Sequence, residues 1–127
     1  MSGRRSIPPL SPFEAEIGFT RALREGDRIL VAGTVAEAVD GAIPAEAGAQ
    51  AENCFAQIIR HVEALGGRAD HIVRVRMFVT DIADADAVSA AFSRALRHAR
   101  PTGTLVAIAA LYRPEWKVEI EAEAIVG

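Results

Sequence analysis

Residues 99–111 read ARPTGTLVAIAAL, a turn that leads into an apolar run. Arg100 precedes a proline, and the residue before a proline avoids the helical conformation, so any preceding helix must end here. The run from Thr104 to Leu111 is short, apolar and partly β-branched, which predicts a strand. This strand is apolar on both of its alternating faces, and strands of that kind are usually covered on both sides.

Two helices are predicted before this strand. Between residues 51 and 65 apolar side chains recur every three or four positions, which indicates a helix with one buried face. The glycine pair at 66–67 ends it, because glycine accepts the left-handed conformation of a helix C-cap. A second apolar stripe covers residues 88–96, and Asp84 (or Asp81) is placed to cap the start of its helix.

The remaining segments predict strands. Residues 18–37 predict a hairpin around the turn Glu25-Gly26-Asp27. Residues 70–81 alternate strictly, which places Val73, Val75, Met77 and Val79 on an inner face and Arg74, Arg76 and Phe78 on an outer face. The last strand, 117–125, carries three glutamates that share the outer face: Glu119, Glu121 and Glu123. We expect two of these glutamates to lie near the two outer arginines.

The resulting order, β-β-α-β-α-β-β, predicts an α+β domain with both helices on one face of a mixed sheet. One domain spans residues 1–127, and residues 1–12, rich in Ser, Pro and Arg, form an extended arm without regular structure. No helix remains to cover the outer face of the 104–111 strand, so we expect a second subunit to cover it. The alternative is a solvated face with surface ion pairs.

Composition narrows the classes of function. The chain has 127 residues and a net charge of −3, and its basic residues are scattered. This pattern disfavours a nucleic-acid or anionic-membrane surface, which needs concentrated positive charge. The single cysteine, Cys54, excludes an internal disulfide and suits a reducing compartment. With no apolar segment near the roughly 18 residues of a membrane span, we expect a cytoplasmic protein.

Few side chains suggest cofactor or metal chemistry. The chain has three histidines: His61, His71 and His98. They lack ligand spacing, so we expect no metal and no other cofactor, and we interpret His61 and His98 as solvated. Cys54 lies on the apolar stripe of the first helix and is expected to be buried and inert, and Trp116 is interpreted as a packing residue. Glu119 is a mid-strand acid at a subunit boundary, where it must be paired, hydrogen-bonded or functional.

Taken together, these segments resemble the Rid/YjgF family. The resemblance covers residues 17–126 and rests on GFTRA (18–22), VAGT (31–34), VTDI (79–82), Arg100-Pro101 followed by Thr104, and VEIEA (118–122). It implies a chorismate-mutase-like fold and a homotrimer whose sheets form a central barrel. It also implies small-molecule clefts between subunits, and the founding activity of the family is hydrolysis of reactive enamines and imines.

The resemblance also implies a set of site residues. In the deaminating members the turn reads Pro-Ala-Arg-Ser or Pro-Ala-Arg-Thr, and its arginine holds the substrate carboxylate. Here residues 101–104 read PTGT, so Gly103 stands at the arginine position and cannot neutralise a carboxylate. Glu119 matches the carboxylate that positions water and is the catalytic candidate. The ligand-binding candidates are Phe19 (at the position of the family's pocket tyrosine), Gly33, Gly103, Thr104 and Arg21.

Four functions stay open. The first is a small-molecule-binding protein without 2-imino-acid deaminase activity, whose ligand is less anionic or is held by Arg21, Arg74 or Arg76. The second is an imine or enamine hydrolase for another substrate, with Glu119 orienting water and the 103–104 backbone donating hydrogen bonds. A ribonuclease is disfavoured by the acidic charge balance and the lack of a histidine pair. The fourth is a structural or chaperone-like trimer.

Overall fold

The computed structural model describes residues 3–127 and is built on a six-stranded mixed sheet. In chain order the elements are β1 (Arg5–Ser6), α1 (Phe13–Ile17), β2 (Ala22–Glu25), β3 (Arg28–Thr34), α2 (Ala47–Ala64), β4 (Ile72–Val79), α3 (Ala85–Leu96), β5 (Thr102–Ala107) and β6 (Val118–Ile125). The strand order is β1-β2-β3-β6-β4-β5, and β4 and β5 form the one parallel pair within the described residues. The α+β class is confirmed, and β1 and α1 are additions to the predicted order.

Helices α2 and α3 pack on one face of the sheet and bury the apolar core. Its largest fully buried apolar side chains are Phe55, Ile29, Ile58, Ile72, Leu96, Ile120, Val62, Val75, Val79, Val88 and Val118. The predicted end of α2 is confirmed, because Gly66 adopts a left-handed φ of 89°. Its amide donates to the Glu63 carbonyl and that of Gly67 to the Val62 carbonyl, which satisfies the last turn of the helix.

The face opposite the helices carries the predicted ion pairs. Arg74 Nε lies 3.3 Å from Glu123 Oε2, and Arg76 Nη1 lies 2.8 Å from Glu121 Oε1. These contacts follow from the antiparallel register of β4 and β6, which places each arginine directly opposite its glutamate. The alternation was wrong at Val73, which is 40% exposed. It is the extra residue of a β-bulge, so Ile72 takes the inner position.

Strand β5 is shorter than predicted and forms an edge of the sheet. It ends at Ala107 instead of residue 111, although the Ile108 amide still donates to the Val79 carbonyl at 2.8 Å. Its neighbour in the sheet is β4, and Val106 is 42% exposed. The single chain therefore leaves one edge of an apolar strand uncovered.

The N-terminal segment is more ordered than an arm without regular structure. Residues 1–2 lie outside the described part of the chain, but β1 pairs with β2, and Ile7 is buried against the core. Helix α1 was not predicted because five residues are too few to show a helical period. Within α1 the buried Glu14 carboxylate accepts hydrogen bonds from the amides of residues 10 and 11, at 2.7 and 2.9 Å.

Candidate ligand pocket

A pocket of about 520 Å³ opens where α1, the start of β2 and the ends of β3 and β6 meet. It is lined by Phe13, Glu16, Ile17, Phe19, Arg21, Gly33, Val35, Tyr112, Trp116 and Glu119. Most of this wall is apolar or aromatic, and its polar groups are one arginine, two carboxyls, the tyrosine hydroxyl and the indole. A pocket of this size and mixture suits a small organic ligand.

The Glu119 carboxyl is half-buried in this pocket. Residue 119 lies on the face of the sheet opposite the helices, across from Phe78 of β4. Burial raises the pKa of Glu119, and the negative charge of Glu121 raises it further, while Arg21 acts in the opposite direction. A carboxyl with raised proton affinity inside a pocket can exchange a proton with a ligand or a water molecule.

Gly33 makes room for that carboxyl. Between Val31 and Thr34, strand β3 has two residues opposite one residue of β6, which is a β-bulge. A methyl group at Gly33 would lie 2.5 Å from Glu119 Oε2 and 2.9 Å from its Cδ. The φ of Gly33 is not in the left-handed region, so close approach of the carboxyl is what requires glycine here.

Arg21 is the positively charged side chain among the described residues that line the pocket. Its guanidinium carbon lies 5.7 Å from the centroid of the Phe19 ring. Its Nε is 3.9 Å from Glu14 Oε2, beyond hydrogen-bond distance. Within residues 3–127 this buried Nε has no hydrogen-bond acceptor.

Burial opposes ionisation of Glu14, but the two amides and Arg21 outweigh it, so the pKa of Glu14 lies below its ordinary value. Glu14 is therefore ionised, and its negative charge lies next to Arg21.

Trp116 forms another wall, which the sequence interpretation as a packing residue missed. Its Nε1 donates to the Ala36 carbonyl at 3.1 Å, and the Arg113 guanidinium carbon lies 5.4 Å from the ring centroid. Phe13 and Ile17 were also missed, since they belong to the unpredicted helix α1. Their spacing of four residues puts two apolar side chains on one helix face, and this was the signal available.

The structure brings four of the predicted site residues together and leaves two apart. Glu119, Phe19, Gly33 and Arg21 line the pocket described above. Gly103 and Thr104 lie on the edge strand β5, with β4 between them and β6. A Cβ at Gly103 would point towards the helices, 3.6 Å from Phe92 Cζ and 3.9 Å from Met77 Cε.

The histidines and Cys54 lie outside this pocket. His61 is buried and lines a smaller neighbouring pocket of about 220 Å³, so the expectation of a solvated side chain was wrong. Burial, followed by the charges of Arg60 and Arg21, lowers its pKa. Cys54 is fully buried as expected, and burial raises its pKa to about 12. No group of three His, Cys, Asp or Glu side chains that could hold a metal occurs among residues 3–127.

The family model described as Endoribonuclease L-PSP matches residues 10–126. The chain belongs to this family. The match confirms the resemblance to the Rid/YjgF family, because the chain is also similar to Rv2704 of Mycobacterium tuberculosis, described as a member of the YjgF/YER057c/UK114 family. That similarity is 31% identity with a TM-score of 0.89, over 98% of this chain and 100% of the other.

Two further relatives of this L-PSP family protein cover it almost completely. The structure of PA3499 from Pseudomonas aeruginosa, described as a protein of unknown function, is 28% identical with a TM-score of 0.85, over 99% of this chain and 94% of the other. Uncharacterized protein SCO2049 of Streptomyces coelicolor is 29% identical over 124 residues, which is 97% of this chain and 92% of that protein. Across residues 3–127, the helices fall short of the length and apolar content needed to span a bilayer.

Proposed function

We propose that this L-PSP family member binds a small organic molecule in the pocket between Phe19, Trp116 and Glu119. The observation that carries the proposal is the half-buried Glu119 carboxyl, which lies against the bulge residue Gly33 in a pocket lined largely by aromatic and apolar side chains. Maintaining a carboxyl in such a place costs free energy, which is typical of binding and catalytic sites.

We also propose that the pocket is completed in a homotrimer. The uncovered edge of β5 and the exposed side chain of Val106 support this, because an open apolar edge favours association. In the barrel arrangement that the family resemblance implies, a neighbouring subunit brings Gly103 and Thr104 to the cleft. Light scattering should give three times the 13.5 kDa chain mass. A monomer at micromolar concentration would contradict this assembly.

Deamination of 2-imino acids is not part of this proposal. Gly103 stands where the deaminating relatives keep an arginine, and it offers no charge to a carboxylate arriving from the β5 side. The loss of a charge-assisted pair of this kind costs about 1.5–3 kcal/mol of binding free energy. We therefore expect the protein to leave the decay rate of a 2-imino acid almost unchanged.

One assay tests binding and another tests chemistry. Trp116 is the single tryptophan of the chain, and its fluorescence reports on this pocket and on the smaller neighbouring pocket that it also lines. Titration with small aromatic probes should change the emission of the wild type, and a Phe19→Ala variant should weaken that response. For the chemistry, an amino-acid oxidase generates 2-imino acids whose decay is followed with and without the protein. Unchanged Trp116 emission with every probe would reject the pocket as a binding site.

The second candidate is hydrolysis of an imine or enamine other than a 2-imino acid, and the raised pKa of Glu119 favours it. Water would add to the imine carbon while the Glu119 carboxylate accepts a proton from that water. Protonated Glu119 would pass that proton to the former imine nitrogen, which gives a neutral carbinolamine. The carbinolamine hydroxyl proton would then move to the nitrogen as the C–N bond breaks, which releases the amine and leaves a carbonyl. Loss of hydrolysis in Glu119→Gln with binding retained would support this function, whereas an unaffected rate would exclude it.

RNA cleavage, the activity in the family description, has less support. Acid–base cleavage needs two titratable groups that converge on one phosphate. The three histidines lie in separate surroundings. His61 is buried in α2, His71 Nδ1 accepts from the Arg68 amide, and His98 lies 2.9 Å from Asp70.

A further inference from the structure

A second pocket lies against helix α2, beside the pocket that contains Glu119. Its volume is about 220 Å³, and it includes Gln57 and His61 of α2, whereas α2 contributes no residue to the Glu119 pocket. The two pockets share Val35 and Trp116 on a common wall. Pockets for drug-sized ligands usually measure about 300–1,000 Å³, so the second pocket suits a smaller molecule.

Two buried polar side chains in the second pocket have hydrogen-bonding atoms to spare. Gln57 is 8% exposed and His61 is 9% exposed, and their spacing of four residues makes them neighbours on one face of α2. Gln57 Nε2 donates to the Val35 carbonyl at 2.9 Å and to Asn53 Oδ1 at 2.8 Å, which leaves Gln57 Oε1 as a free acceptor. Within residues 3–127 no hydrogen bond involves the His61 imidazole. Buried polar groups are nearly always hydrogen-bonded, so we expect a bound molecule or water to supply their partners.

The other polar groups of the second pocket already have partners. The indole N–H of Trp116 donates to a backbone carbonyl at 3.1 Å. Glu37 Oε1 pairs with Arg60 Nη2 at 3.1 Å, and Arg21 lies beside the ionised Glu14. The lining therefore holds one positive and one negative side chain, each next to its opposite charge, which favours an uncharged ligand.

His61 is itself uncharged at neutral pH. Burial, followed by the charges of Arg60 and Arg21, lowers its pKa from an ordinary value of about 6.5, and Glu37 and Glu14 offset this only in part. A neutral imidazole donates one hydrogen bond and accepts another. Gln57 Oε1 and the N–H of His61 are thus an acceptor and a donor side by side.

We infer that the second pocket binds a small uncharged molecule through a carboxamide group. The amide N–H donates to Gln57 Oε1, the amide oxygen accepts from the ring N–H of His61, and the apolar part lies against Leu10 and the Trp116 ring. A carboxylate of the same shape would instead place an oxygen against Gln57 Oε1, and a ketone would leave that oxygen without a donor. This site goes beyond the proposed function, which concerns the Glu119 pocket.

Three probes of one shape test this selectivity: benzamide, acetophenone and benzoate, each titrated at neutral pH and followed by NMR. The backbone amide of Ala36 reports on the second pocket, and that of Gly33 reports on the Glu119 pocket. From the shifts of Ala36, wild-type protein should bind benzamide at least about tenfold more tightly than acetophenone, and benzoate more weakly than benzamide. Equal affinities for the amide and the ketone, or a preference for benzoate, would overturn the inference.

Two variants assign the selectivity to its residues. Gln57→Met keeps the length of the side chain and removes the acceptor, so the amide-to-ketone ratio should fall close to one. His61→Phe removes the donor to the carbonyl oxygen that both probes share, so both affinities should fall by about tenfold. His98→Phe is the matched control, because His98 pairs with Asp70 outside both pockets, and it should keep the wild-type affinities. A ratio that survives Gln57→Met, or that is lost in the control, contradicts the assignment.

The wild type decides the question if these variants do not fold. Bound benzamide should show nuclear Overhauser effects to the ring proton at Cε1 of His61, and binding without them rejects the site. A shift of Gly33 without a shift of Ala36 rejects the second pocket and retains the proposed function. A shift of Ala36 without a shift of Gly33 supports the second pocket on its own. No shift of Ala36 at millimolar benzamide overturns the inference.

Discussion

Replacing Gly33 by alanine tests how the site carboxyl is held. The added methyl would lie 2.5 Å from Glu119 Oε2 and 2.9 Å from Cδ, whereas unstrained contacts need about 3.5 Å. The carboxyl must therefore move by about 1 Å, away from β3 and towards the open pocket. Because burial is the main cause of the raised pKa of Glu119, this movement should lower that pKa towards its ordinary value.

The fold should tolerate the same change. Gly33 does not have a left-handed φ, and the atoms it would displace are the end of a flexible side chain. Alanine also gains roughly 0.5–1 kcal/mol over glycine within a strand. We therefore expect the free energy of unfolding to change by less than about 1 kcal/mol, a few degrees in Tm. By contrast, a 1 Å misplacement of a reacting group can lower a catalytic rate by about a hundredfold.

The measurements are thermal unfolding, an NMR titration of the Glu119 side-chain carboxyl, and the Trp116 binding assay. Gly48→Ala is the matched control, because its methyl would lie at an ordinary 3.4 Å from the Ala87 Cβ and outside the pocket. The control should leave the titration of Glu119 unchanged. An unchanged pKa of Glu119 in Gly33→Ala, or a loss of folding, would refute the argument that Gly33 exists to seat the carboxyl.

Three further outcomes are expected. Glu119→Gln should raise Tm at neutral pH and leave it unchanged below about pH 4, the ordinary range of a glutamate pKa. The reason is that a carboxyl with a raised pKa destabilises the fold only as the pH rises through its pKa in the folded state. Cys54 should resist a thiol reagent at pH 8 until denaturant is added, since its pKa is about 12, and rapid labelling of native protein would contradict its burial. Gly103→Arg should fold, because the φ of Gly103 is not left-handed and the new Cβ would meet Phe92 at an ordinary 3.6 Å. The variant should restore slight 2-imino-acid hydrolysis, and adding Phe19→Tyr should increase it. No gain in either variant would contradict the account of the missing arginine.

The parts of the fold predictable from sequence are those with a repeating pattern. The α2 stripe, its glycine end and the β4–β6 charge pairs all follow from periods of 3.6 or 2 residues. The pattern failed where one residue is inserted, as at Val73, because a bulge reverses the alternation without any change in composition. The burial of His61 was missed because its surroundings depend on the fold: it lines a pocket together with residues distant in sequence, such as Leu10 and Ala36.

Individual residues of the site were predictable from the sequence, but their arrangement in space was not. Family motifs selected Phe19, Gly33 and Glu119, which the fold brings together. The α1 side of the pocket was missed because a single turn of helix shows no repeating pattern in the sequence. Trp116 was missed because an aromatic residue in a loop is usually interpreted as a packing residue. The choice among the arginines needed the structure, since only the sheet order separates Arg21 from the paired arginines of β4.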